Sequence, residues 1–128
     1  MRIADNQCDE TVLARLSAEV CELISKGGYR ELADRFGYAL AFDKDPAEAI
    51  QVDVDSSLLE GGAFTRLASP SEPEIKVRRF KPNDANFVAL VECRLELMDG
   101  TGGLFVELVV TAVGDEKHVT LEQISHTV

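Results

Sequence analysis

Apolar residues between Asp9 and Gly28 recur at the spacing of an amphipathic helix. They form one stripe when the segment is drawn with a period of 3.6 residues. Asp9 is suited to cap the start of this helix, and the pair Gly27-Gly28 is suited to end it. The stripe consists of Val12, Leu13, Leu16, Val20, Leu23 and Ile24.

Two further helices are predicted. The segment "YRELADRF" forms a short helix that ends at Gly37, and "DPAE" starts another, with Asp45 as N-cap, Pro46 in the first turn and Glu48 closing a capping box. The run "IQVDVD" that follows alternates like a strand, but the cap signal favours a helix. The apolar positions that share its face are Ala47, Ile50, Val54 and Leu58.

The second half of the chain has a different pattern. Four β-rich runs, "IKVRRF", "FVALVECRLELM", "LFVELVVTAV" and "HVTLEQISH", are separated by short breaks, which are typical of antiparallel neighbours. Helices followed by strands indicate an α+β fold, with N-terminal helices packed on a curved four-stranded antiparallel meander sheet. We expect a single domain over residues 1–128, with a helical part (1–60), a loop (61–74) and a sheet (75–128).

The glycine-rich stretch "MDGTGGL" at 98–104 raises the question of a phosphate-binding loop. Such a loop lies between a strand and a helix, whereas this stretch is followed by the β-branched run "LFVELVVTAV". It is therefore predicted to be a hairpin turn. In the predicted register, Leu95 lies opposite Val106 and Arg94 opposite Glu107, because a slip by one residue would bury Glu107 against Leu95. The predicted core face of the first strand is Phe87, Ala89, Val91, Cys93, Leu95 and Leu97.

The even-numbered face of this hairpin mixes charged and apolar side chains. It is consistent with plain outer surface, with a dimer contact, or with the lining of a shallow cleft. An isologous dimer would bury the apolar part and leave the charges at the rim. The candidate interface residues are Leu90, Arg94, Phe105, Glu107 and Val109.

The net charge of −10 argues against nucleic acid as the main partner. The acidity is concentrated in residues 1–60, where 6 basic residues face 13 acidic ones. A solvated helical surface accounts for this excess, and a basic partner is the alternative. The basic run "KVRRFK" at 76–81 is best explained as an edge strand that its charges protect from association.

The cysteines Cys8, Cys21 and Cys93 are odd in number and widely spaced, so neither a disulfide framework nor a zinc site is predicted. Cys21 and Cys93 fall on apolar faces, where burial makes a thiol inert. The two histidines, His118 and His126, are expected on the last strand, pointing to its surface or edge.

Other candidates for chemistry are few. Asp53 and Asp55 are two residues apart on a helix and so do not share a face, and we expect both to be solvated. No catalytic residue, metal or cofactor is predicted. The N-terminal segment carries Asp5, Asp9 and Glu10 where a signal peptide would need an apolar stretch. The apolar runs elsewhere are too short to span a bilayer. Both observations indicate a cytoplasmic protein.

The order of helices and meander resembles the cystatin-like and nuclear-transport-factor-2-like α+β folds, in which a curved sheet wraps a long helix. The stretch from "FVALVECRLELMDGTGG" to "TLEQISH", with the helical "DPAEAIQVDVDSSL", is similar to an uncharacterised bacterial family. The resemblance implies a fold and a bacterial cytoplasmic origin, without an activity to transfer. Enzymes of this fold class place Asp, Tyr or His in a deep pocket between helix and sheet.

Three functions are therefore considered. The first is a protein-interaction module, dimeric through its sheet, that binds a protein partner in the manner of small acidic immunity proteins. The second is a small-molecule carrier or enzyme with a pocket between helices and sheet, for which Tyr38, Asp43 and His126 are the candidate lining residues. The third, a nucleic-acid binder through "KVRRFK", ranks last.

Overall fold

The computed structural model describes residues 1–62, 73–98 and 102–127, and only the backbone of Gln7. The described residues form an α+β fold in which three α helices cover one face of a curled antiparallel sheet of five strands. The helices are α1 (Glu10–Lys26), α2 (Tyr29–Phe36) and α3 (Pro46–Gly61). The strands are β1 (Arg2–Ala4), β2 (Glu74–Arg79), β3 (Phe87–Glu96), β4 (Gly103–Val113) and β5 (Glu116–Thr127), in the sheet order β1-β5-β4-β3-β2.

The predicted boundaries of the first helix are confirmed. The Asp9 carboxylate accepts a hydrogen bond from the Val12 backbone N–H at 2.8 Å, which satisfies a donor of the first turn. At the other end Gly27 adopts a left-handed conformation with φ of 72°, the geometry that ends a helix most readily at glycine. Ser17 and Cys21 add two small polar side chains to the buried stripe of α1.

The ambiguous run "IQVDVD" is helical, as the cap signal predicted. Asp45 caps α3 by accepting from the Glu48 backbone N–H at 3.3 Å, and the Arg30 guanidinium holds the same carboxylate with two hydrogen bonds of 2.9 and 2.7 Å. Ile50 and Val54 are buried, whereas Val52 is 57% exposed. The strand-like alternation thus reflects an apolar residue on the outer face of a helix.

The meander of four antiparallel strands is confirmed, but the sheet has a fifth strand that the sequence did not indicate. β1 pairs with the start of β5, and the Met1 amino group extends this pairing by donating to the Val119 carbonyl at 2.6 Å. A strand of three residues is too short to show an alternating pattern. β2 lies at the opposite edge of the sheet, as expected for the basic run.

The core lies between the helices and the buried face of β3, β4 and β5. Its aliphatic side chains come from alternate strand positions and from the inner faces of all three helices. The largest fully buried side chains are Leu13, Leu32, Ile50, Leu104, Leu108, Leu121, Val20, Val54, Val91, Val106, Val110 and Val119.

The predicted register of the β3–β4 hairpin is wrong by two residues. Arg94 lies opposite Phe105, and Glu107 lies opposite Glu92, so the expected Arg94–Glu107 pair is not formed directly across the strands. The Leu97 N–H donates to the Gly102 carbonyl at 3.4 Å, and residues 99–101 of the loop lie outside the described residues. A shift by two residues keeps every side chain on its face, so the apolar pattern could not distinguish the two registers.

Two β-bulges change which side chains face the core. One lies between Phe87 and Ala89 in β3, and it turns Phe87, predicted to be in the core, onto the face opposite the helices. The other lies at Glu122 in β5 and brings Ile124 and His126 onto the helix-facing side. The expectation that His126 points to the surface or edge is therefore wrong, since its side chain is only 13% exposed.

Candidate interaction surface

The sheet face that the helices do not cover is the main surface of interest, and we call it the open face. Its side chains come from alternate positions of β2, β3, β4 and β5, and in the last three strands most of them are half-buried. All five candidate interface residues lie on it. They form neighbouring rows, because Leu90 pairs with Val109, Glu92 with Glu107 and Arg94 with Phe105.

One end of the open face is apolar. The β-bulge places Phe87 opposite Thr111, and its ring lies 6.2 Å from the ring of Phe80, centroid to centroid, with a tilt of 48°. The two rings are 46% and 45% exposed. Together with the adjacent Leu90–Val109 pair they form a patch that we call the apolar end, defined as Phe80, Phe87, Leu90 and Val109.

The middle of the open face carries an acidic group of three. Glu92 and Glu107 lie directly opposite each other, and Glu122 projects from the β5 bulge beside Glu107. Arg78 on β2 forms an ion pair with Glu92 at 3.1 Å. Burial raises the pKa of Glu107, the carboxylates of Glu92 and Glu122 raise it further, and Arg78 opposes them.

The remaining end of the open face holds a shallow groove of about 170 Å³. Arg94 is one of its lining residues, and it forms an ion pair with Glu96 two positions along the same strand. Lys76 lies 3.9 Å from Glu74. These charges compensate one another, so the groove presents a mixed polar surface rather than a site for one sign of charge. Its lining residues are Glu74, Lys76, Glu92, Cys93, Arg94, Phe105 and Thr127.

The three candidate pocket residues lie elsewhere. Tyr38 is buried, its hydroxyl donates a hydrogen bond to the Asp53 carboxylate, and burial together with this hydrogen bond raises its pKa. Asp53 is therefore held by a partner, and only Asp55 is exposed as expected. His126 faces the helices two residues beyond Ile124, with Nδ1 3.9 Å from a Glu60 carboxylate oxygen.

Asp43, the third candidate, is exposed in a turn. A second groove of about 400 Å³ lies among the helices, lined by Ile24, Ser25, Lys26, Gly27, Tyr29, Val54 and Leu58. Neither groove is lined by Tyr38, Asp43 or His126. A ligand pocket built on these three residues stays a prediction.

The most exposed large apolar side chain in the described residues is Phe42, at 84%. It has φ of 53° and ψ of −118°, and the Lys44 N–H donates to the Ala41 carbonyl at 3.0 Å. These angles are those of the second residue of a type II′ turn, which glycine normally occupies. Sequence reasoning missed this feature, because nothing in the sequence around Phe42 signals such a turn.

Comparison with family models, with curated proteins and with solved structures found no match to this chain. No group of three or more His, Cys, Asp or Glu side chains in the described residues is placed to hold a metal ion. Of the helices seen in the described parts of the chain, none has the length and apolar character needed to cross a membrane.

Proposed function

We propose that this protein is an interaction module that associates with a second copy of itself through the open face. The observation that carries the proposal is the apolar end, where Phe80 and Phe87 remain nearly half exposed beside the Leu90–Val109 pair. Exposed apolar patches on soluble domains commonly mark interaction sites. The β3 bulge adds Phe87 to this patch, although a regular strand would have buried it.

The size of the open face suits a dimer. β3, β4 and β5 contain 10, 11 and 12 residues. At about 3.3 Å per residue and about 4.8 Å between strands, the face including the six residues of β2 covers about 600 Å², which is the lower end of the range for standard interfaces. A typical stable interface buries about 800 Å² of accessible surface on each partner.

The distribution of charge favours a second copy as the occupant. Residues 61–128 carry 7 basic and 10 acidic residues, a net of −3, whereas residues 1–60 carry a net of −7. Two copies that meet sheet to sheet therefore repel each other less than two copies that meet through their helical layers. On the open face, Arg78 is paired with Glu92 and Arg94 with Glu96, so an isologous contact meets both arginines as compensated charges.

A dimer of this kind would leave the acidic helical layer free for a protein partner. Most of the negative charge lies there, and electrostatic complementarity would select a basic protein, in the manner of small acidic immunity proteins. A partner bound to this layer is expected to dissociate more readily as ionic strength rises, because the charges are exposed to solvent.

The resemblance to cystatin-like and nuclear-transport-factor-2-like folds, and to the bacterial family, is also part of this proposal. Helices that precede a curled antiparallel meander support it, and β1 is an addition to that pattern. The free cysteines support a reducing compartment such as the bacterial cytoplasm.

Sedimentation equilibrium of purified protein tests the dimer. We expect the wild-type mass to rise towards twice the chain mass with concentration, and we expect Leu90→Glu to shift the protein to monomer by placing a charge in the buried patch. Val52→Glu is the matched control, because Val52 is an exposed apolar residue on the outer face of α3. A wild-type protein that stays monomeric at high concentration, or equal dissociation by both variants, would refute the proposal.

A further inference from the structure

Three glutamates cross the middle of the open face from strand to strand, and we call them the acidic group. They are Glu92 on β3, Glu107 on β4 and Glu122 on β5. Glu92 lies directly opposite Glu107, and Glu122 lies at the bulge beside Glu107. Each has between four and six residues of its own strand on either side, so the group lies close to the centre of the face. All three are half-buried in the single chain.

The symmetry of a dimer decides what the acidic group meets. The step from this geometry to regulation rests on the proposed function, in which two copies associate through their open faces. Both copies use the same surface in such an isologous contact. Any two-fold axis through the middle of the contact places the middle of one face against the middle of the other. The acidic group of one copy then lies against the acidic group of its partner.

The β2 side of the acidic group is compensated by a cation. Arg78 forms an ion pair with Glu92 at 3.1 Å. Lys76 lies opposite Glu92 in the register, and its ammonium nitrogen is 3.9 Å from a carboxylate oxygen of Glu74. Of the acidic group, Glu92 is therefore the member whose charge is balanced within the chain.

The β4 and β5 side of the acidic group lacks this compensation. Glu107 lies opposite the neutral side chain of Gln123, and its diagonal neighbour Arg94 forms an ion pair with Glu96. No cation of the described residues forms an ion pair with Glu107 or Glu122. Partial burial, followed by the two neighbouring carboxylates, raises the pKa of Glu107, and Arg78 opposes this rise. A second acidic group brought against this side adds to the same repulsion.

We propose that protonation of the acidic group controls association through the open face, so that the dimer is tighter at mildly acidic pH than at neutral pH. Ionised carboxylates that approach one another have a higher pKa in the dimer than in the single chain, so dimer formation takes up protons. The repulsion is complete above the raised pKa and disappears below the usual glutamate pKa of about 4.3. The dimer therefore weakens as the pH rises through this range.

His118 also titrates near this range and lies on the open face. It pairs with Thr111, which lies opposite Phe87, and its Nε2 is 3.8 Å from a carboxylate oxygen of Glu116. Its protonation places a positive charge beside the apolar end, which opposes burial of that end. The histidine would therefore weaken the dimer at acidic pH, whereas the acidic group would strengthen it.

Sedimentation equilibrium at two pH values tests the proposal. We expect the Kd of the wild-type dimer to fall about tenfold from about pH 7.5 to about pH 5.5, because repulsion near the glutamate range is relieved. Glu107→Gln should tighten the dimer about fivefold at the higher pH and reduce the pH dependence, because each dimer loses two facing charges.

Two control variants identify the groups responsible. Asp55→Asn removes the same charge from the exposed outer side of α3, and it should leave both the Kd and its pH dependence close to wild type. His118→Gln should retain the tightening at acidic pH. If Asp55→Asn reduces the pH dependence as much as Glu107→Gln, the effect comes from net charge and the proposal is wrong. Loss of the pH dependence in His118→Gln would overturn it as well.

Leu90→Glu separates this proposal from the dimer itself. A wild-type dimer that Leu90→Glu dissociates, but whose Kd is the same at both pH values, would leave the dimer standing and refute control by the acidic group. The contact would then be centred away from the middle of the face. A wild-type protein that is monomeric at both pH values would refute the dimer and the control together.

Discussion

Glu92 lies directly opposite Glu107 on neighbouring strands of the open face. Like charges in this position destabilise a sheet. The ion pair between Arg78 and Glu92 offsets part of the cost. The pKa of Glu107 is nevertheless raised, first by partial burial of its carboxylate and then by the neighbouring charges of Glu92 and Glu122. The register of the hairpin thus places an electrostatic penalty where the sequence suggested an attractive pair.

Neutralising Glu107 should therefore stabilise the protein at neutral pH. We expect Glu107→Gln to raise the free energy of unfolding by about 0.5 kcal/mol. Because the folded-state pKa of Glu107 is raised, the wild-type carboxylate destabilises the fold only when it is ionised. The gain should therefore fade as the pH falls through this raised pKa and vanish below the usual glutamate pKa of about 4.3.

Urea unfolding of both proteins at neutral and acidic pH measures this effect. Glu96→Gln is the control on the same strand, and it should have the opposite sign at neutral pH, because it removes the ion pair with Arg94. A gain for Glu107→Gln that does not change with pH would show that packing, rather than charge, is responsible.

The observed register also predicts which charges are coupled. A double-mutant cycle on Arg78 and Glu92 should give a coupling energy of about 0.5 kcal/mol, the usual size for an ion pair with one exposed partner. The same cycle on Arg94 and Glu107 should give a smaller value, because Arg94 lies opposite Phe105 and pairs with Glu96. Stronger coupling of Arg94 with Glu107 than of Arg78 with Glu92 would favour the register expected from the sequence.

Phe42→Gly should stabilise the protein. Phe42 has a positive φ that is strained for a side-chain-bearing residue, and its ring is 84% exposed, so little burial is lost. Relief of strain of about 1–3 kcal/mol exceeds the entropic cost of glycine, about 0.5–1 kcal/mol, which leaves a net gain of about 1 kcal/mol.

Thermal unfolding of Phe42→Gly and of Leu40→Gly provides the comparison. Leu40 lies in the short 3-10 helix Ala39–Ala41, where glycine only adds flexibility, so its replacement should lower the melting temperature. If both substitutions destabilise the protein equally, the Phe42 ring makes a stabilising contact that outweighs the backbone strain.

Tyr38→Phe should destabilise the protein by about 1–2 kcal/mol, because the half-buried Asp53 carboxylate loses a hydrogen-bond donor. Tyr29→Phe is the matched control and should cost less, since its ring is half-buried at the helical groove. Chemical denaturation measures both. Equal losses would indicate that the Tyr38 hydroxyl contributes no more than that of a partly solvated tyrosine.

The helices and the meander were predictable because their signals are local. Asp9 and Asp45 cap their helices through backbone groups only three residues away. The connections between strands are short, and short connections favour antiparallel neighbours. The placement of the five interface candidates on one face follows from the same alternation. It needed no knowledge of the rest of the fold.

Register, bulges and side-chain partners depended on contacts between distant segments. The apolar pattern has a period of two residues, so it is equally compatible with two hairpin registers that differ by two residues. The observed register places Glu92 opposite Glu107, and Arg78 on β2 partly compensates this acidic pair. A bulge inserts one residue and reverses the faces beyond it, which moved Phe87 out of the core and His126 into its margin.

The sequence by itself thus determined the order, type and inner faces of the elements, because capping and periodicity act over a few residues. Only the tertiary structure decided that β1 completes the sheet and that Tyr38 lies against Asp53. Each of these pairings joins elements whose relative position is fixed by packing of the whole core. No local pattern carries that information.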